Sequence, residues 1–160
     1  MKVLPLVFYP DKRLQKPSAK VDIFDQSLSD LATAMAATMY ANSGVGLAAP
    51  QIGQNIRLIV VTDNKGGYIA YVNPELTFGS KEKVMSEEGC LSIPNVNAVV
   101  PRHAKIRWRY QTLTGEKKQD KARGLTGIIV QHEIDHINGI LILDRATKIT
   151  TTPAEKADET

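Results

Sequence analysis

Cysteine is nearly absent from this chain. Cys90 stands alone among 160 residues, so no internal disulfide can form and a reducing compartment is expected. Absent too is any run approaching the roughly 18 apolar residues of a membrane span. The opening MKVLPLVFYPDKRL has a short apolar stretch broken by Pro5 and Pro10, and it lacks both the length and the small-residue cleavage site of a secretion signal. No internal repeat stands out and no long linker divides the chain. Charge of one sign is not in great excess: 17 acids offset 20 bases, for a net charge of +3 and a pI near 9.0. The sharpest basic runs, residues 102–109 and 117–123, read as solvated surface rather than as a nucleic-acid footprint. These absences lead to the expectation of a cytoplasmic protein with no DNA and no membrane among its partners, and at most a mild preference for acidic or RNA-rich surroundings.

What is present suffices for one packed domain: 42% of residues are hydrophobic and 23% charged. Residues 27–42 read as the first helix, because Leu28, Leu31, Met35 and Met39 recur on one face. Ser27 and Asp30 have the pattern of a capping box, and Ser43-Gly44 supplies the stop. Residues 44–51, GVGLAAPQ, read as a tight loop that lets another group approach the backbone. Residues 57–62 and 68–72 read as strands joined by a turn at 64–67. In 105–110, Ile106, Trp108 and Tyr110 alternate with Lys105, Arg107 and Arg109, as in a half-buried strand. Residues 124–138 read as a second helix, with Leu125, Ile128, Ile129, His132 and His136 sharing a face and Gly139 as its cap. Strands first and a buried helix late, without regular βαβ alternation, predict an α+β fold.

The segment QHEIDHINGI, residues 131–140, carries the chemistry. Residues four apart on a helix lie one above the other, so His132 and His136 can put two imidazoles on one metal. Glu133 beside them can handle the protons of a water, as in the HExxH helix of metal hydrolases. The third ligand separates the chemistries. Ile142 stands where one protease class has a third histidine. Glu155 lies nineteen residues after His136, but in a polar tail with no apolar face to hold it. Cys90, inside EEGCLS, is the other candidate. A lone cysteine is commonly a small buried hydrophobe, yet its neighbours here are charged and small, and Gly89 permits an unusual backbone. A thiolate with two imidazoles suits zinc or ferrous iron.

Three segments, GVGLAAPQ, EGCLS and QHEIDH, resemble in order and spacing the three signature motifs of peptide deformylases, and the resemblance runs from about residue 1 to residue 145. It implies a mostly antiparallel fold packed around a central HExxH helix, with one further N-terminal helix. It implies removal of the N-formyl group from the initiator methionine of nascent polypeptides, with release of formate. The implied cofactor is one divalent metal on Cys90, His132 and His136, Fe2+ in the cell and Zn2+ or Ni2+ in preparations. Glu133 would move the protons, while the Gln51 side-chain amide and the Leu91 backbone N–H would steady the oxyanion. Gly46 would bring backbone close to the substrate, and Val45, Leu125, Ile128 and Ile129 would line the methionine pocket. Glu88 and Arg102 match an ion pair that steadies the cysteine loop.

The chain departs from the family pattern in two places. Asn97 replaces a basic residue common in bacterial members, which leaves contacts to the peptide beyond methionine open. Residues 146–160 stand where many bacterial members carry a C-terminal helix that docks on the ribosome; this short form resembles phage-encoded and other truncated members, for which the compartment would be the host cytoplasm. The expected division is a catalytic domain over 1–145 and a polar, disordered tail over 146–160, with weak ribosome contact.

Overall fold

A computed structural model describes residues 2–152. The first apolar periodicity folds as α1 (Gln26–Ala41), starting one residue earlier than the pattern suggested. That shift changes the cap. Ser27 falls inside the first turn, and Asp25 becomes the N-cap, accepting from the Leu28 N–H at 3.2 Å and from the Ser27 hydroxyl at 2.6 Å. Asp30 instead accepts from Gln26 Nε2 at 2.8 Å. The stop stands where expected: Ser43 takes a left-handed φ of 57°, and the Gly44 N–H returns to Met39 O at 2.9 Å.

The strands follow as β1 (Gly46–Ala48), β2 (Leu58–Thr62), β3 (Tyr68–Gly79), β4 (Lys83–Cys90), β5 (Ile93–His103), β6 (Lys105–Gln111) and β7 (Lys117–Arg123). After them come α2 (Gly124–Ile137), the single turn α3 (Ile142–Arg145) and β8 (Lys148–Thr151). One sheet has the order β1-β2-β3-β6-β7 and a second the order β4-β5-β8, every pairing antiparallel. The long β4–β5 hairpin thus leaves the first sheet between β3 and β6 and forms the other side of the molecule. The expected α+β architecture of antiparallel strands around the HExxH helix is the one observed.

Helix α2 serves both sides. Val130, Ile134 and Ile137 share a face and bury against Ile59, Val61, Tyr71, Ile106 and Trp108 of the five-stranded sheet. The predicted alternation of β6 holds, with Ile106 and Trp108 essentially inaccessible and Arg107 and Arg109 exposed. Helix α1 packs Leu28, Met35 and Met39 on Leu58, Val60 and Val72, across the same sheet from α2.

Four further expectations are corrected. GVGLAAPQ is not a plain loop: its centre is strand β1, paired with β2, and Ala49–Ile52 forms a 3-10 turn. Strand β3 runs past Val72 to Gly79, because an irregularity between Val72 and Glu75, with Asn73 at a φ of 51°, absorbs Pro74 without ending the ladder. Gly89 has no left-handed backbone, and a side-chain carbon there would meet only Val96 O, at 3.8 Å. The polar tail is ordered over residues 148–151, where β8 pairs with β5 in the register Ala98↔Ile149. A sequence without apolar alternation gives no sign of this edge strand, which is held by backbone bonds: the Thr147 N–H donates to Val99 O and the Thr152 N–H to Asn95 O, both at 2.8 Å. The remainder of the predicted tail, 153–160, lies outside the described residues.

Truncation after Thr147 removes β8, whereas truncation after Thr152 keeps it. Exposed backbone hydrogen bonds contribute about 0.5–1.5 kcal/mol each, so the shorter form should be less stable than the longer one by about 1–3 kcal/mol in urea unfolding. Equal stability of the two forms would mean that β8 adds nothing to the sheet.

Candidate active site

The residues singled out by the three motifs converge on one cleft of about 420 Å3, between α2, the β4–β5 hairpin and the segment around β1. His132 and His136 project from α2, and Cys90 comes from the last position of β4. Among the described residues these three form a group whose donor atoms all lie within 4.8 Å of one another. Cys90 Sγ is 3.3 Å from His136 Nε2.

The donor set fits a divalent cation. A thiol sulfur and two imidazoles are the ligand types that zinc and ferrous iron take. The carboxyls of Glu88, Glu133 and Asp135 and the thiol of Cys90 are gathered here around Arg102 and the half-exposed Arg145. Among the described residues, His136 Nδ1 and Glu133 Oε2 are buried without a hydrogen-bond partner. His136 stays neutral: burial, and then the charges of His132 and Arg102, hold its pKa well below the ordinary value. Its Nε2, beside the sulfur, is free to act as a ligand atom.

His132 is oriented by a relay of buried ions. Its Nδ1 lies 2.8 Å from Glu88 Oε1, which leaves Nε2 toward the cluster. Glu88 accepts a forked pair of bonds from Arg102, at 2.9 and 2.7 Å. Arg102 also donates to Asp135 at 2.6 Å, and Asp135 accepts from Arg145 at 2.7 and 3.0 Å. Burial works against the charge on Glu88, but the bonds from Arg102 and His132 outweigh it and hold the carboxyl near 2. Burial likewise opposes a charge on His132, but Cys90 and Glu88 overcome it and push its pKa up to about 10 when no metal competes for Nε2.

Glu133 is 3% exposed on the cleft side of α2. Burial raises its pKa to about 7 against the opposing charges of His132 and Arg102, so the carboxyl can both take and give a proton near neutrality. Gly46 is required next to it, because a side-chain carbon at that position would stand 3.0 Å from both Glu133 Cγ and Ile129 Cγ2. Gln51 is buried in the 3-10 turn rather than on a loop surface. Its Oε1 accepts from the Ala48 N–H at 3.0 Å, which turns Nε2 toward Ser92 Oγ at 3.1 Å and Cys90 Sγ at 3.6 Å.

Val45, Gly46, Leu91, Leu125, Ile128 and Ile129 all line the same cleft. Val45 and Leu125 are exposed at its rim, at 50% and 67%, which marks them as available for contact rather than as core. Asn97 is not among the lining residues; it lies opposite Thr150 of β8. The alternative ligand Glu155 is outside the described residues. Sequence reasoning missed Ser92, Asp135 and Arg145. Asp135 carried a readable signal, since a carboxylate three positions after His132 shares its side of the helix. Ser92 and Arg145 carried none, because their partners Gln51 and Asp135 are 41 and 10 residues away.

Fold and site together define a metal-dependent hydrolase built on an HExxH helix, with a cysteine from a neighbouring strand completing the donor set. The family model of polypeptide deformylases matches residues 3–152. The peptide deformylase of Desulfotalea psychrophila is 41% identical over 154 residues, covering 93% of this chain and 90% of that protein. The crystal structure of the peptide deformylase from Thermotoga maritima superposes with a TM-score of 0.88 at 36% identity, over 92% of this chain and 100% of that one. That of Legionella pneumophila gives 0.86 at 39% identity, over 91% and 86%. The chain belongs to the polypeptide deformylase family. The activity of the family is metal-dependent removal of the N-formyl group, and its substrates are N-formylated nascent peptides.

Arg102 is 3% exposed and neutralises two carboxylates at once. Removing one partner of a buried pair costs about 3–5 kcal/mol because the other charge is stranded. Arg102→Ala is therefore expected to lower the unfolding free energy by about that amount in urea denaturation. A loss under about 1 kcal/mol would place the network among ordinary surface pairs.

Proposed function

We propose that Cys90, His132 and His136 hold one divalent metal and that Glu133 moves the protons of the deformylation. The convergence of the three donor atoms within 4.8 Å, beside a buried carboxylate in one cleft, carries this reading. When bound, the metal supplies Lewis acidity, lowering the pKa of water and polarising the formyl carbonyl. Thiolate and imidazole suit several divalent ions, and the resemblance makes ferrous iron the expected metal in the cell, with zinc or nickel as substitutes.

The chain's own groups do the rest. Glu133 accepts a proton from the attacking water through Oε2, the oxygen without a partner, while Oε1 stays 3.7 Å from His132 Nε2. The water oxygen bonds to the formyl carbon, and the negative charge on the former carbonyl oxygen meets Gln51 Nε2 and the Leu91 backbone N–H. Glu133 then returns the proton to the amine nitrogen as the C–N bond breaks. Formate and the free N-terminal amine of methionine leave. Val45, Leu125, Ile128 and Ile129 offer an apolar wall for the methionine side chain, and Gly46 keeps the space beside Glu133 open. The enzyme would work in the cytoplasm, where nascent chains appear, with any ribosome contact weak.

A protease reading with Glu155 as third ligand is disfavoured by the thiol of Cys90, whose sulfur already stands 3.3 Å from His136. Three variants separate the readings. Cys90→Ala should lose its equivalent of metal in elemental analysis, whereas Glu155→Ala should keep it. Glu133→Gln should keep metal and fold but release formate from a formyl-Met peptide about 10²–10⁴-fold more slowly, the usual contribution of a general acid–base group. Full metal content in Cys90→Ala, or Glu133→Gln within threefold of the parent at matched metal content, would refute the assignment.

With the parent enzyme, formyl-Met peptides should turn over far faster than acetyl-Met peptides. An acetyl group adds a methyl where formyl has hydrogen, and the cleft beside Gly46 is close enough that even a side-chain carbon there would stand 3.0 Å from Glu133 Cγ and Ile129 Cγ2. Comparable rates in a competition assay would contradict so close a fit.

A further inference from the structure

The chemistry uses the side of the five-stranded sheet that faces α2. The opposite face of its β6–β7 edge takes no part in it, yet has a definite pattern. Because Ile106 and Trp108 point to α2, alternation sends Lys105, Arg107 and Arg109 the other way. The register sets Lys105 opposite Arg123, Arg107 opposite Lys121, Arg109 opposite Gln119 and Gln111 opposite Lys117. Six cations thus share one surface. Arg109 pairs with Glu75 of β3 at 2.8 Å; among the described residues the other five make no ion pair. This face is more positive than the +3 of the whole chain.

Two of the rungs place like charges directly opposite each other, which destabilises a sheet. Protection of an exposed edge explains lysines on β7. It does not explain arginines on β6, which is flanked on both sides by strands, nor cations facing cations across the ladder. Beside them, Phe78 is 45% exposed, with the Arg107 guanidinium 5.5 Å over its ring. At one end the ladder opens into a cleft of about 530 Å3, where Lys20, Arg57 and Lys118 join Arg109 and Lys117.

We propose that this face binds the phosphate backbone of RNA. Cations two residues apart along a strand recur at about 6.8 Å, in two adjacent rows, which suits a continuous line of negative charge. The half-exposed ring of Phe78 among them, with Arg107 over it, offers a base a surface to stack on, as aromatic rings in cationic grooves do for single strands. The inference deepens the deformylase reading, because a substrate that is a nascent chain is met at an RNA-rich particle. The cationic face lies across the sheet from the catalytic helix, so RNA held there leaves the cleft open.

The test uses the metal-loaded full chain and a short fluorescent single-stranded RNA of mixed sequence, with anisotropy measured over a range of salt. Arg107→Glu combined with Lys121→Glu should weaken binding about tenfold or more and reduce the slope of log K against log salt by about 2. Turnover of a formyl-Met peptide should stay at the parent rate. Arg107→Gln combined with Lys121→Gln should also weaken RNA binding, and should melt no lower than the parent because a repulsion is relieved. RNA affinity unchanged in the glutamine pair overturns the proposal, even if the glutamate pair is too damaged to assay. Polyglutamate displacing RNA as well as unlabelled RNA does would also overturn it, in favour of an acidic protein. Loss of the deformylase reading would show separately, as absent turnover in a parent enzyme that still binds RNA.

Discussion

Arg102 holds Glu88 ionised against its burial, and the position of His132 depends on Glu88. The guanidinium spans from the β4–β5 hairpin to α2, with two bonds to Glu88 on one side and one to Asp135 on the other. Cys90 lies two residues beyond Glu88, and His136 one beyond Asp135. Holding the two carboxylates in register therefore holds the sulfur against the imidazoles. A planar fork with a permanent charge suits this task, because a lysine could satisfy one carboxylate only as a point charge.

Such a network is costly to bury and does not necessarily stabilise the fold more than apolar packing would. Its contribution here is positional. The hairpin has no covalent tie to the helix, and the apolar cluster beneath it, with Ile93, Ala98, Val100, Leu141 and Ile142, is non-directional. Directional bonds decide which way the imidazole of His132 turns. The same division of labour recurs at Gln51, whose Oε1 is occupied by the Ala48 N–H so that its amide nitrogen is left toward the sulfur.

Helix α2 needs two different environments on its two sides, and its sequence supplies them. Val130, Ile134 and Ile137 drive it onto the five-stranded sheet through apolar burial, at about 1.5–3 kcal/mol for each large side chain. The side with His132, Glu133 and His136 is left for a partner that must bring polar groups of its own. The hairpin brings Glu88, Cys90 and Arg102, and β1 brings a glycine small enough to let Glu133 pass.

The sequence alone determined the local features whose causes lie within one turn or one strand. The helical spacing of His132 and His136, the apolar stripe of α1 with the left-handed stop after it, and the alternation of β6 are all short-range consequences of side-chain geometry. Residue chemistry offered Cys90 as a third ligand, and the motif resemblance added Gln51 and Gly46, residues that no local pattern could connect to the histidines. Only the tertiary structure decided the rest. The Asp25 cap, the continuation of β3 through Pro74 and the reach of Arg102 and Arg145 to Asp135 depend on neighbours meeting in space. Strands β7 and β8 carry no apolar period at all; their order comes from backbone bonds to β6 and β5, and such bonds leave no mark on side-chain choice. The two basic runs read singly as solvated surface, and only the pairing of β6 with β7 turns them into one cationic face.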